Sequence, residues 1–295
     1  MSVASLGYVL LSSPDLPGWR TFGVDTIGAM DVADDDGGVA LKIDDHPFRI
    51  RIEPGDEDRL TAIGWEMASK GAYDALRKHF QAMGLAIRDG SPEEAASRCV
   101  GEFFATSDPA GNPLEFYHQR IGAGEPFHSP AGVAGFVTGE MGLGHIVIPA
   151  CGNQEETRDF YAALPGFGLS DDLTITLPDP AIPPIRVYFL HADNPRHHSL
   201  ALGSIPSPTG VTHIMLEMTN LDDVGRCLDR VQRAGMKLMA SLGRHCNDNM
   251  LSFYVNGPGN VAIEIGCDGL QLDWEEFQPT VSTVPDHWGH AYQLG

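Results

Sequence analysis

The chain repeats itself at long range, and such a repeat restricts the fold more than any single motif does. Residues Glu102 to Phe116 read as a strand, a Pro/Gly/Asn turn and a second strand. Residues Leu251 to Ile265 read the same way and place Glu264 149 positions after Glu115. Gly84 closes an amphipathic helical pattern of Tyr73, Leu76, Phe80 and Met83. Gly235 closes another, of Val224, Leu228 and Val231, with Asn220 or Asp222 as its starting cap. Phe48–Ile52 matches His198–Leu202, and Ile63–Met67 matches Val211–Met215. Leu6-Gly7-Tyr8 matches Leu143-Gly144-His145 at a shorter spacing, which an insertion around Asp171–Pro184 would explain.

Each half therefore holds two units of strand, helix and several strands, over 1–56 and 57–120, then 139–205 and 208–268. Gly- and Pro-rich Gly122–Gly135 is the expected linker. The fold class is α+β, with four βαβββ modules forming two similar domains, 1–135 and 136–295. A length of 295 residues suits two domains of ordinary size.

Composition removes several alternatives. Forty acidic against 19 basic residues give a formal charge of −21, a field that repels nucleic acid and anionic membranes. No apolar run approaches the roughly 20 residues needed to span a bilayer. No basic region precedes the apolar stretch at the N-terminus, so no signal peptide is expected. The five cysteines are scattered and form no CxxC pair, which argues against a disulfide framework or a thiolate zinc site. The cytoplasm is the expected compartment.

A duplicated protein with one active site should differ between its copies at that site. Aligned on the repeat, Tyr8 faces His145, Trp65 faces His213, Phe48 faces His198 and Ala105 faces Tyr254, while Glu115 faces Glu264. The second half thus carries polar, ligating residues where the first carries bulky or inert ones. Two imidazoles and a carboxylate on separate strands fit a facial triad with open positions for other ligands. The same donors suit Fe(II), Mn(II) or catalytic zinc, so ligand type alone does not select the metal. Glu264 lies between Val261-Ala262-Ile263 and Ile265, where an unpaired carboxylate would be costly. Metal ligands are therefore expected in 136–295 and none in 1–135.

Asn194-Pro195-Arg196-His197-His198-Ser199-Leu200-Ala201 resembles the type I extradiol dioxygenases of the vicinal oxygen chelate superfamily. So do Gly243 to Tyr254, ending at Glu264, and Trp288-Gly289-His290. The likeness covers almost the whole chain and is greatest to 2,3-dihydroxybiphenyl 1,2-dioxygenases. It implies Fe(II), or Mn(II) in its place, on His145, His213 and Glu264. It also implies that both atoms of O2 enter a substituted catechol beside its diol, giving a yellow ring-opened product. His198 would be the acid–base residue, and an imidazole that titrates near neutral pH suits that task. His245 and Tyr254 would donate hydrogen bonds to substrate oxygens or to charge developing on oxygen. Asp248 would orient one of these donors, with Asn247 beside it at the substrate. Val147 and Leu190 are candidate pocket residues, for the oxygen side and the ring wall. His197, next to His198 on an expected strand, would point away to a structural or surface position. The resemblance further implies a homo-oligomer. Steroid-type or alkyl catechols are alternative substrates. A glyoxalase-type isomerase or lyase would draw ligands from both halves, and a metal-free aromatic-binding protein would leave His198, His245 and Tyr254 unexplained.

Overall fold

The structure is a computed structural model, and it describes residues 2–32, 37–122 and 125–293. Of the expected linker Gly122–Gly135, residues 123 and 124 lie outside the described residues. The first unit is β1 (Val3–Ser13), α1 (Leu16–Thr21) running into a π-helical turn (Phe22–Ile27), β2 (Met30–Val32), β3 (Val39–Lys42) and β4 (Ile50–Pro54). The second is β5 (Arg59–Met67), α2 (Lys70–Ala82), β6 (Arg88–Asp89), a short added helix α3 (Pro92–Ser97), β7 (Val100–Ser107) and β8 (Pro113–Arg120). The third is β9 (His145–Pro149), α4 (Gln154–Ala162), β10 (Gly168–Ile175), β11 (Ile185–His191) and β12 (Leu200–Gly203). The fourth is β13 (His213–Glu217), α5 (Leu221–Arg233), β14 (Leu238–His245), β15 (Leu251–Asn256) and β16 (Ala262–Cys267). Two short strands follow, β17 (Thr280–Ser282) and β18 (Asp286–Trp288).

Strands β1–β8 form one sheet in the order β2-β3-β4-β1-β5-β8-β7-β6. Strands β9–β18 form a second, β17-β10-β11-β12-β9-β13-β16-β15-β14-β18. Leaving out β17 and β18, the two orders are the same, so the duplication is one of topology as well as of sequence. The extra length of the second half falls in the β10–β11 hairpin. Residues 171–175, expected within an insertion, belong to β10 itself.

The paired helices are built alike. Ser69 Oγ accepts the Ala72 N–H and Asn220 Oδ1 accepts the Asp223 N–H, each satisfying an otherwise orphaned first-turn donor. Gly84 and Gly235 stop the helices at φ of 73° and 64°, where a Cβ would be strained. Val224, Cys227 and Val231 face the core, as do Tyr73, Leu76 and Phe80. Met83, expected on the apolar face, is 58% exposed because it caps the helix end rather than lying within it.

One continuous apolar core lies between the helices and the sheets of both halves, and includes Ile63, Trp65, Ile214, Ile263 and Ile265. Successive strand residues point to opposite faces, so Glu264 and its neighbours look away from the helices. That helix-free face differs between the halves. In the first it is filled by Tyr8, Leu10, Ala40, Phe48, Ala62, Ala95 of α3, Val100, Phe103 and Tyr117. In the second it carries the candidate metal ligands.

Candidate metal centre and active site

Three adjacent strands bring the ligands together. Pairing sets Ile146 opposite Ile214 and Met215 beside Glu264. His145 opens β9, His213 opens β13 and Glu264 is central in β16. Nε2 of His145, Nε2 of His213 and Oε2 of Glu264 form a nearly equilateral triangle with edges of 3.1, 3.2 and 3.2 Å. An octahedral ion with bonds of about 2.2 Å would hold adjacent donors about 3.1 Å apart. Neither Glu264 oxygen has a hydrogen-bond donor in proper geometry, and the residue is fully buried. An unpartnered carboxylate there would cost several kcal/mol, and a divalent cation removes that cost. Burial alone would raise the Glu264 pKa, but His145, His213 and His245 hold it well below the usual carboxylate range. Burial lowers the pKa of His145, which favours the neutral ring that a metal requires. The donor set and its spacing therefore fit a metal ion.

The other polar residues surround this triangle. The His198 ring lies 4.1 Å from that of His145, centroid to centroid, and 4.7 Å from Phe189. Burial first, then the neighbouring rings of His145 and His197, pushes the His198 pKa well below its ordinary value. That shift favours the neutral imidazole. Tyr254 Oη lies 2.7 Å from His245 Nε2, and its ring meets that of His213 edge-on at 5.0 Å. Burial and the Glu264 charge raise the Tyr254 pKa well above 10, so its O–H stays a donor. Burial would lower the pKa of His245, but the neighbouring Asp286 and Glu264 carboxylates raise it well above the ordinary value.

Several expectations need correction. Trp65 is not the counterpart of His213. Val9 pairs with Ile63 and Ile146 with Ile214, so His213 corresponds to Ala62. Trp65 lies on the other face, buried against Phe167 with the rings edge-on at 4.9 Å. Leu190 is likewise on the helix side in the main core, and its neighbour Phe189 is the one that reaches His198. His197 and His198 precede β12 in a loop, so strand alternation does not separate them. His197 is 1% exposed, and the two Nδ1 atoms share a hydrogen bond of 3.0 Å. Asp248 Oδ2 lies 3.8 Å from His198 Nδ1. Asn247 accepts the Asp248 N–H and shapes that turn. Val147 is two residues along β9 from His145, directly opposite His213 and in register with Ala201, on the face expected of it. Phe189 and Asp286 escaped the sequence reading. Strand parity would have pointed to Phe189; no sequence signal marked Asp286.

In the first half Tyr8 occupies the place of His145 and Ala105 the place of Tyr254. The Tyr8 O–H donates to Glu115 Oε2 at 2.6 Å. The Arg98 guanidinium grips both Glu115 oxygens at 2.7 and 2.8 Å. A Cβ on Gly64 would sit 2.4 Å from the Tyr8 ring, so the glycine makes room for it. The Met215 position takes a side chain where Gly64 takes none.

Residues 6–55 match the family model described as Dihydroxybiphenyl dioxygenase BphC D1. Residues 142–265 match that of the Glyoxalase/Bleomycin resistance protein/Dioxygenase superfamily. The chain is 39% identical over 301 residues to an iron-dependent extradiol dioxygenase of Rhodococcus jostii (strain RHA1), covering 100% of this chain and 99% of the relative. The chain belongs to the extradiol dioxygenases. Another member, the biphenyl-2,3-diol 1,2-dioxygenase of Paraburkholderia xenovorans (strain LB400), is 37% identical over 297 residues, with 98% and 96% covered. The crystal structure of a halotolerant catechol dioxygenase superposes with a TM-score of 0.90 at 31% identity, over 99% of this chain and 95% of the other. This extradiol dioxygenase keeps the fold expected of it, four βαβββ modules in two sheets.

Proposed function

We propose that this extradiol dioxygenase binds Fe(II) through His145, His213 and Glu264 and cleaves a substituted catechol such as 2,3-dihydroxybiphenyl beside its diol, consuming O2. The observation that carries the site assignment is the buried triangle of two imidazole nitrogens and one unpartnered carboxylate oxygen, with His198, His245 and Tyr254 around it. When bound, ferrous iron supplies positive charge for the diol oxygens and a place for O2 beside them. His198, whose burial favours the neutral ring, accepts a proton released by the diol. Tyr254 and His245, kept protonated by the Glu264 and Asp286 charges, donate to oxygens that gain negative charge. Groups of one chemistry are thus pushed to opposite protonation states within one site. Phe189, Val147 and Ala201 give the site an apolar wall that suits an aromatic ring. Asp248, beside His198, positions that base, and Asn247 shapes the turn that carries Asp248.

Among the described residues no helix is long and apolar enough to cross a membrane. The five free cysteines support a cytoplasmic setting. Exposed Val281, Trp288 and Tyr292 on the C-terminal segment support a homo-oligomer.

Protein reconstituted anaerobically with Fe(II) and mixed with 2,3-dihydroxybiphenyl in air is expected to form a yellow product with one O2 consumed per molecule cleaved. No O2 uptake across substituted catechols, with iron bound, would overturn the reading.

A further inference from the structure

The C-terminal segment reaches across the second sheet from one edge to the other. β17 pairs with β10 at one edge, where Asp171 Oδ1 accepts the hydroxyls of Thr280 and Ser282 at 2.6 and 2.9 Å. β18 pairs with β14 at the opposite edge, setting Asp286 against His245. The approach is tight. A Cβ on Gly243 would lie 2.4 Å from the His290 backbone nitrogen, and one on Gly289 would lie 2.2 Å from the Leu242 carbonyl oxygen. Only residues without side chains let this segment close on β14 at these two points.

The segment places one carboxylate behind the site. Asp286 Oδ1 lies 2.7 Å from His245 Nδ1 and 2.6 Å from His290 Nδ1. His290 is anchored in turn, its Nε2 3.0 Å from the Ser252 carbonyl oxygen. Two imidazoles and a carboxylate stand close enough together to hold a metal ion, but the distances among them are those of hydrogen bonds. The triad donors stand 3.1–3.2 Å apart, as the cis edges of a coordination shell do. Here both nitrogens are at hydrogen-bond distance from a single oxygen.

We infer that Asp286 is a positioning residue for His245, fixing the ring so that Nδ1–H donates to the carboxylate and Nε2 is presented to Tyr254 and the substrate. The inference rests on reading His245 as a donor in the active site. Nε2 lies 2.7 Å from Tyr254 Oη and 3.4 Å from Glu264 Oε1, so rotation of the ring would withdraw the donor from both. A carboxylate that holds one imidazole nitrogen fixes the tautomer and the aim of the other. Asp286 does this from a strand outside the four repeated modules, so the active site is completed by a segment the duplication did not supply.

The decisive variant is Asp286→Asn. It is expected to keep stoichiometric Fe(II) while kcat falls by about 10- to 100-fold with KM little changed. In a His245→Ala background the same substitution should cost nothing further. Val284→Ala, at an exposed position on the same segment, should leave kcat unchanged. Should Asp286→Asn fail to fold, 15N NMR of histidine-labelled unsubstituted protein loaded with diamagnetic Zn(II) decides the point, and a proton on His245 Nδ1 is expected. Wild-type kcat in Asp286→Asn, an equal loss in the His245→Ala background, an equal loss in Val284→Ala, or an unprotonated His245 Nδ1 would each overturn the inference. Full activity of His245→Ala would overturn instead the reading of His245 on which it stands.

Discussion

Glu115 and Glu264 occupy equivalent positions in two copies of one sheet, each central in a strand and each buried. In the first copy the carboxylate is neutralised from within the chain. Arg98, delivered from the end of α3, binds it in bidentate fashion, and Tyr8 donates a further hydrogen bond. In the second copy Tyr8 is replaced by His145 and Ala62 by His213. No arginine enters, and the carboxylate oxygens lack donors. One backbone therefore supports two solutions to a buried negative charge, a guanidinium in one half and the donor set for a metal in the other. The first is closed and inert. The second is completed only by a cation that can still bind other ligands.

The widest separation of the halves is expected from His213→Ala. This variant should lose bound iron and fall to background ring cleavage, measured by iron content and O2 uptake. Arg98→Ala, in the silent half, should strand a buried carboxylate and cost about 3–5 kcal/mol of stability by urea unfolding. Its folded fraction should keep iron and kcat. Tyr8→Phe removes one hydrogen bond while leaving the Arg98 pair, and should cost about 1–2 kcal/mol with iron and activity retained. The smallest effect tests the likeness of the halves. Ser69→Ala and Asn220→Ala remove equivalent helix caps and should each cost about 1 kcal/mol in thermal unfolding.

Much of this contrast was legible in the sequence because duplication provides an internal reference. The glutamate pair, the helix stops at Gly84 and Gly235 and the Tyr8–His145 exchange all rest on local patterns that survive without the structure. The errors have a common origin. Ile63-Gly64-Trp65 and Val211-Thr212-His213 look alike locally, yet their register is set by hydrogen bonds to β1 and β9, which no single strand reveals. An odd-numbered slip exchanges faces, and it made Trp65, a core residue between the halves, the supposed partner of a metal ligand. The same parity separates Leu190 from Phe189. His197 precedes a strand that begins only at Leu200, so strand alternation does not reveal its buried contact with His198. Asp286 has no counterpart in the repeat, and its approach to His245 depends on a segment spanning the sheet.

The contrast between the halves is tested most directly by anomalous diffraction at the iron edge from crystals of the Fe(II)-loaded protein. A single peak per chain, bounded by His145, His213 and Glu264, with none beside Glu115 and Arg98, is the expected result. A peak beside Glu115, or none within the His145–His213–Glu264 triangle, would contradict it.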